Sequence, residues 1–415
     1  MKVPYGKGIF DLSGFTMKNK LLFFRARYGT TPRCFSIKAA MSMGKPILRV
    51  AAIACSALFL GFAAKPALAA STASSKSCGC GRSAIAASQR IAPGGIDDLI
   101  AVDVGGIRQW ISVRGNDPSN PLLLFLHGGP GSPMMPESWT FQRPWEDFFT
   151  VVQWDQRGGG KTFTAAKRKP DSSMTIDEVQ SDAEQLIDLL LRKYGKRKLF
   201  LLGHSWGSIL GVRIAQHHPE WLYAYIGVGQ VVNTRRNEEV GYQMTLAAAE
   251  AIKNETAIRD LKRIAPYPNA DGSVPPWKTL IERKWDVALG GMLYGQASDD
   301  ESQRCELSPQ YDAYDCGSRQ MGESTTPAIL WPQLASVSFD EVSLFKCPVF
   351  IFAGSHDMTT PEPLQLDFYN RIEAPEKKYF KIEKASHYVF NEAPGEMLVD
   401  LVLYVRTKYS SENGH

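Results

Sequence analysis

Three residues far apart in the chain have the types needed for nucleophilic hydrolysis: Ser205 in Gly203-His204-Ser205-Trp206-Gly207, Asp357 in Ser355-His356-Asp357, and His387 in Ser386-His387. Serine attacks a carbonyl only when a base takes its proton, and an imidazole base needs a carboxylate to set its tautomer and stabilise its cation. The chain order nucleophile, acid, base is the order used when the serine sits at a strand-to-helix turn of an α/β sheet. Acyl transfer also needs donors aimed where the carbonyl oxygen turns negative. The backbone N–H groups of Gly129, in Leu126-His127-Gly128-Gly129-Pro130-Gly131, and of Trp206 are the candidates. His356 stands in the same turn as Asp357, too close to it to reach Ser205, whereas His204, His217 and His218 read as structural. His127 reads as a residue that orders the glycine loop.

The elements that must position these groups follow from apolar patterning. Short β-type runs at Ile107–Val113, Leu122–Leu126, Phe149–Trp154, Leu199–Leu202, Tyr223–Val228, Val349–Ala353 and Tyr379–Ile382 alternate with helical patterns such as Ile176–Tyr194. Several are continuously apolar, as strands covered on both faces are, so the expected fold class is α/β with a mostly parallel sheet. An apolar strand runs into G-x-S-x-G and then an amphipathic helix, the context a tight turn exposing Ser205 requires; a plain Gly-rich turn is the competing reading. Between residues 231 and 344 the β rhythm stops, and helical stretches at Tyr242–Lys253 and Lys278–Leu289 predict a helical cap insertion. The body is then 96–230 and 345–415, preceded by a Ser-, Ala- and Gly-rich tether over 70–95.

Composition narrows the function classes. The 415 residues are 22% charged and 44% hydrophobic, which excludes collagen, coiled coil and wholesale disorder. The formal charge of +4 is misleading, because residues 1–69 hold 11 of the Lys+Arg and a single acid, Asp11, leaving 36 basic against 42 acidic residues. A nucleic-acid binder needs a basic body, so no nucleic-acid partner is expected. The run VAAIACSALFLGFAA, flanked by Lys45 and Arg49 and followed by Ala67-Leu68-Ala69, reads as a cleavable export signal at about 41–69, too short for a membrane anchor. Met41 or Met43 would start such a signal naturally; an organelle transit sequence is the alternative for the first 40 residues. In an oxidising compartment Cys305 and Cys316, which bracket a short polar loop, are the preferred pair, Cys78 and Cys80 are left open, and Cys347 reads as a buried hydrophobe.

Together HGGPG at 127–131, DQRG at 155–158, GHSWGS at 203–208 and the late Asp357 and His387 resemble the proline iminopeptidase branch of the α/β-hydrolases, over about Asp97–Tyr409. The resemblance implies an α/β-hydrolase fold, a Ser205 nucleophile, His387 as base and then acid, Asp357 as its orienter, and Gly129 with Trp206 as the oxyanion hole. It also implies removal of an N-terminal residue, typically proline, from short peptides, with cap carboxylates holding the free amine. The chain departs from the pattern in having no Trp-x-x-Trp-Glu element in the cap. Glu238, Glu239, Glu282 and Asp286 are available instead, and each is expected to be a solvated surface acid. Asp155 and Arg157 are expected to form a salt-bridging turn under the site.

Other signals carry less. Gly160-Lys161-Thr162 imitates the end of a phosphate-binding loop, but Asp155 stands where its first glycine belongs, and no cofactor or metal is expected. His217-His218-Pro219-Glu220 lacks zinc-protease spacing, and Asn254-Glu255-Thr256 is a glycosylation sequon. The expected activity is an exported, cofactor-independent aminopeptidase working through an acyl-enzyme. A carboxylesterase or amidase acting on a small ester or amide, and a non-catalytic binding protein on the same fold, stay open, as does the oligomeric state.

Overall fold

The computed structural model describes residues 81–298 and 301–413. The export signal read over 41–69 lies outside the described residues, as does the first part of the tether. The remainder of that tether corrects the expectation of a featureless linker: residues 81–88 are helical, and Arg82 donates to the carbonyl of Glu306 at 2.7 Å. The Ala-rich stretch SAIAAS supplies strong helix formers without an apolar stripe, so periodicity alone gave no warning.

One sheet of eight strands organises the described residues: β1 (Ile96–Val104), β2 (Ile107–Gly115), β3 (Leu122–Leu126), β4 (Thr150–Asp155), β5 (Leu199–His204), β6 (Leu222–Val228), β7 (Val349–Gly354) and β8 (Lys377–Ile382). Their spatial order is β1-β2-β4-β3-β5-β6-β7-β8, antiparallel at β1–β2 and β2–β4 and parallel from β4 to β8. The strand not foreseen is β1, an edge strand in which only Val104 is fully buried, so its apolar signal is weak. It returns through Gly105-Gly106, whose φ values of 58° and 74° suit the two-residue turn of a right-twisted hairpin.

Alternation along β3 shows why the sheet needs cover on both sides. Leu122, Leu124 and Leu126 join one buried cluster with Val179, Leu186 and Leu190 of a helix on that face; Leu123 and Phe125 join the other with Phe141, Phe390 and Met397. The helices that position the site are α1 (Gly160–Ala165), α2 (Ile176–Lys193) and α3 (Trp206–His217). At the start of α2 the Thr175 hydroxyl accepts from Glu178 N–H at 3.1 Å, an N-cap that contributes about 1 kcal/mol.

Among the described residues, five helices fill the stretch between β6 and β7: α4 (Thr234–Ala251), α5 (Glu255–Ile264), α6 (Pro276–Ala288), α7 (Glu301–Glu306) and α8 (Ala313–Leu334). Tyr242, Leu261, Ile264, Tyr267 and Trp285 give α4–α6 a small core of their own. Helix α8 rests directly on the loops after β3 and β4: a Cβ on Gly131 would lie 2.6 Å from the Gly322 carbonyl, and one on Gly322 would lie 2.4 Å from the Gly158 carbonyl. Cys305 and Cys316 are disulfide-bonded, tying α7 to α8, and Cys347 is a buried free thiol. Among the described residues no helix is long and apolar enough to cross a membrane.

Candidate active site

Ser205 occupies the turn from β5 into α3 with φ 52° and ψ −120°, a backbone conformation an L-residue rarely adopts and one that costs about 1–3 kcal/mol. Its neighbours explain how the turn is held. A Cβ on Gly207 would come within 2.1 Å of the Leu126 carbonyl, and one on Gly203 within 2.6 Å of the Gly207 carbonyl, so both positions demand glycine. The Ser205 N–H donates to the Val228 carbonyl at 3.0 Å, and the Ser205 carbonyl accepts from the Ser208 N–H at 2.9 Å and the Ser208 hydroxyl at 2.6 Å.

The acid and the imidazole come from the loops after β7 and β8. His387 Nδ1 lies 2.9 Å from Asp357 Oδ2, and both residues are buried. Every oxygen of that carboxylate is occupied: Oδ1 accepts from the N–H groups of Thr359 and Thr360 at 2.9 and 2.7 Å, and Oδ2 accepts from the Thr360 hydroxyl at 2.6 Å as well as from His387. An acid placed this way accepts from Nδ1–H, which directs Nε2 away from it as the acceptor nitrogen of the ring. Thr360 was not read from the sequence, although Asp357-Met358-Thr359-Thr360 is the pattern of an aspartate that caps its own turn. His356 is exposed and bonds Ser355 Oγ at 2.8 Å, away from this pair.

The glycine loop closes over the serine from the β3 side. A Cβ on Gly128 would lie 3.2 Å from Ser205 Cβ, and Gly129 has φ 105°. His127 orders this loop as expected. Burial pushes its imidazole down to about 4, so it is neutral at pH 7, with Nδ1–H donating to the Gly128 carbonyl at 2.8 Å and Nε2 accepting from Gln156 N–H at 3.3 Å. His204 is also neutral, since burial and the neighbouring His387 push it well below its ordinary value. Its Nε2–H donates to the His387 carbonyl at 3.1 Å, and the two rings lie 4.7 Å apart.

The DQRG turn departs from the simple salt bridge expected of it. Arg157 does pair, with Asp182 at 3.0 Å and Glu178 at 3.1 Å, but Asp155 faces the other way, accepting from the Tyr311 hydroxyl and from Lys161 N–H. Burial raises Asp155 to about 7. Arg157 lies past the end of β4, in the turn, so no strand face holds the two side chains together and each finds its own partner.

The cap acids correct the expectation most sharply. Glu239 is exposed, but Glu238, Glu282 and Asp286 are buried. They surround one cation: Arg283 donates to Glu238 at 2.5 Å and also to Glu282, and lies 4.0 Å from Asp286. Burial works against the charged form of Arg283, yet the three carboxylates outweigh it and raise its pKa. Burial also raises Glu282, to about 8, against the pull of Arg283. Asp286 bonds the Thr359 hydroxyl at 2.6 Å and so braces the loop that carries Asp357.

A pH dependence follows from Glu282. A carboxyl whose pKa is near its ordinary 4.5 in the unfolded chain and about 8 in the fold binds more protons when folded, so its contribution to stability is present at pH 4 and lost as pH rises to about 8. Melting temperature should therefore fall between pH 5 and pH 9. In Glu282→Gln that fall should be smaller by a few degrees, about 1 kcal/mol. Parallel melting curves for the two proteins across this range would count against the assignment.

A cavity of about 490 Å³ joins these parts, with Gly129, Ser205, Trp206 and Thr360 at its base. Ile209, Val231, Leu280, Pro327, Trp331 and Leu334 make its walls largely apolar, and Glu238 and Glu323 stand among them. Glu282, Asp286 and Glu239 do not line it. Glu323 lies on α8, where the sequence offered no sign of it, and pairs with Arg319 at 3.0 Å.

Over residues 121–394 the chain matches the family described as alpha/beta hydrolase fold. It is 34% identical over 304 residues to the Probable aminopeptidase YbaC of Bacillus subtilis (strain 168), covering 71% of this chain and 91% of that protein. A proline iminopeptidase of Neisseria gonorrhoeae is 34% identical over 119 residues, 29% of this chain and 36% of that relative, so the match spans about a third of its length. Among solved structures, the proline iminopeptidase of Mycobacterium smegmatis superposes with a TM-score of 0.55 at 18% identity, covering 76% of this chain and 100% of that one. At that identity the likeness speaks for the fold alone.

Proposed function

We propose that this chain, which belongs to the alpha/beta hydrolase fold family, is a serine aminopeptidase that removes an N-terminal residue, proline among those accepted, from short peptides. Ser205 attacks the carbonyl of the first residue while His387 takes its proton, and the N–H groups of Gly129 and Trp206 receive the oxyanion. His387 then protonates the leaving amine, and water activated by the same imidazole releases the acyl group.

The observation that carries the peptidase reading is the cavity itself, where the elbow serine shares its walls with two cap carboxylates, Glu238 and Glu323. One observation favours a second reading, a carboxylesterase or amidase: both oxygens of Glu238 are already engaged, by Tyr267 and by Arg283. Glu323, which pairs with Arg319 and lines the same cavity, is the second acid tested for amine recognition.

Hydrolysis of proline-naphthylamide, its N-acetylated form and p-nitrophenyl acetate distinguishes these readings. The aminopeptidase reading expects kcat/KM for the free amine to exceed that of the acetylated form by at least about 100-fold, since a site built around a polar group rejects an analogue lacking it. It also expects Glu323→Gln to raise KM for the amine substrate and leave ester hydrolysis unchanged. Equal rates with and without the acetyl group would move the protein to the esterases. Export is proposed as well, from the segment at 41–69, and the disulfide between Cys305 and Cys316 supports it, because such bonds persist outside the reducing cytosol.

A further inference from the structure

We infer that Gln156 is a positioning residue that holds the two oxyanion donors at a set separation, an inference that rests on the serine-hydrolase reading above. Gln156 is buried immediately after the end of β4. Its side chain reaches both the glycine loop and the elbow. Oε1 accepts from the indole Nε1–H of Trp206 at 2.8 Å, and Nε2 donates to the His127 carbonyl at 3.4 Å. Its own main-chain N–H meets the far side of the His127 ring, Nε2, at 3.3 Å.

One amide side chain therefore joins two segments that leave the paired ends of β3 and β5. The Gly129 N–H comes from the loop after β3 and the Trp206 N–H from the first residue of α3, and only contacts between those segments can fix the gap between them. The backbones approach closely at Gly128 and Gly207, which sets a minimum distance, and α8 packs over Gly131 from outside. The bridge through Gln156 adds a restraint that ties the two donor segments directly to each other. It pulls on the indole whose own main-chain N–H is one donor, and on the carbonyl of His127, two residues before the other.

The arrangement is also matched in tautomer. Neutral His127 gives its Nδ1 proton to the Gly128 carbonyl and accepts at Nε2, so the ring passes the position of Gln156 on to the peptide unit immediately before Gly129. An oxyanion gains from donors only when they sit about 2.7–3.1 Å from where the charge develops, so loosening the separation acts on the transition state more than on ground-state binding.

The test compares Gln156→Leu, Trp206→Phe and the double variant in turnover of the preferred naphthylamide and in the rate of labelling by a fluorophosphonate, with melting temperature as a check on folding. Trp206→Phe keeps the main-chain donor and the aromatic packing but removes the indole N–H, so it breaks the same bridge without touching Gln156. Each single variant should lose about 10- to 100-fold in kcat and in labelling rate with KM changed less than about threefold, less than the loss for deleting a donor outright. The double variant should be no worse than Gln156→Leu, because both changes cut one bridge. Full kcat in Trp206→Phe, an effect confined to KM, or losses that multiply in the double variant would overturn the inference. If Gln156→Leu fails to fold, Trp206→Phe decides alone. Activity retained in Ser205→Ala would instead overturn the serine-hydrolase reading beneath it.

Discussion

Replacing Ser205 by alanine should lower kcat by on the order of 10⁶, with the melting temperature unchanged within a degree or two. The size of the effect follows from what is left: the cavity, the oxyanion donors and the Asp357–His387 pair persist, but no oxygen remains to be acylated. The fold should persist because the hydrogen bonds that Ser205 makes in the elbow are main-chain ones, from its N–H to Val228 and from Ser208 to its carbonyl, and alanine keeps them. Alanine carries the same cost at φ 52° as serine does, so the strain of the turn is not relieved. Turnover of the amide substrate and fluorophosphonate labelling would be measured together. Activity within tenfold of the parent in a purified, folded variant would end the serine mechanism, whereas loss of both signals with an unchanged melt would support it.

Asp357→Asn should cost about 10⁴ in kcat, a larger loss than the near-isosteric shape of the substitution suggests. The geometry explains why. Two main-chain N–H groups, of Thr359 and Thr360, point at Oδ1, so an asparagine at 357 will turn its carbonyl toward them. Its NH₂ group then faces His387 Nδ1 and the Thr360 hydroxyl, where Oδ2 now accepts from both. An NH₂ group cannot accept the Nδ1 proton, so the imidazole must switch tautomer and place its hydrogen on Nε2, the atom that has to take the proton of Ser205. KM should hardly move, since Asp357 does not line the cavity. Thr360→Val, which removes one donor and leaves the carboxylate, is the matched control and should lose far less. A Asp357→Asn variant with kcat within tenfold of the parent would show that His387 does not depend on this acid.

The two substitutions bear on the features that were legible in the sequence, and those features have a common physical basis. The apolar runs of β3, β5 and β7 could be read because a strand covered on both faces needs apolar side chains at every position, whatever lies next to it. The elbow could be read because glycine at 203 and 207 answers to atoms only a few residues or one strand away. Chain order, with the position of each after an apolar strand, separated Asp357 and His387 from the other carboxylates and histidines. Where burial is slight, as in the edge strand β1, that signal faded.

What the tertiary structure decided lies in the contacts between distant segments. Glu238, Glu282 and Asp286 have the sequence context of surface helix acids, and they became buried because α4 and α6 pack together around Arg283. Glu323 reaches the cavity only because Gly131, Gly158 and Gly322 let α8 settle against the loops beneath it. Gln156 lies within the DQRG motif, and its contacts are to an indole and a carbonyl brought to it from the segments after two other strands. The candidate nucleophile, acid and base were legible in local pattern and order, because those depend on near neighbours along the chain. Which acids meet the substrate depends on how the cap packs, and packing brings together residues that no spacing along the chain relates.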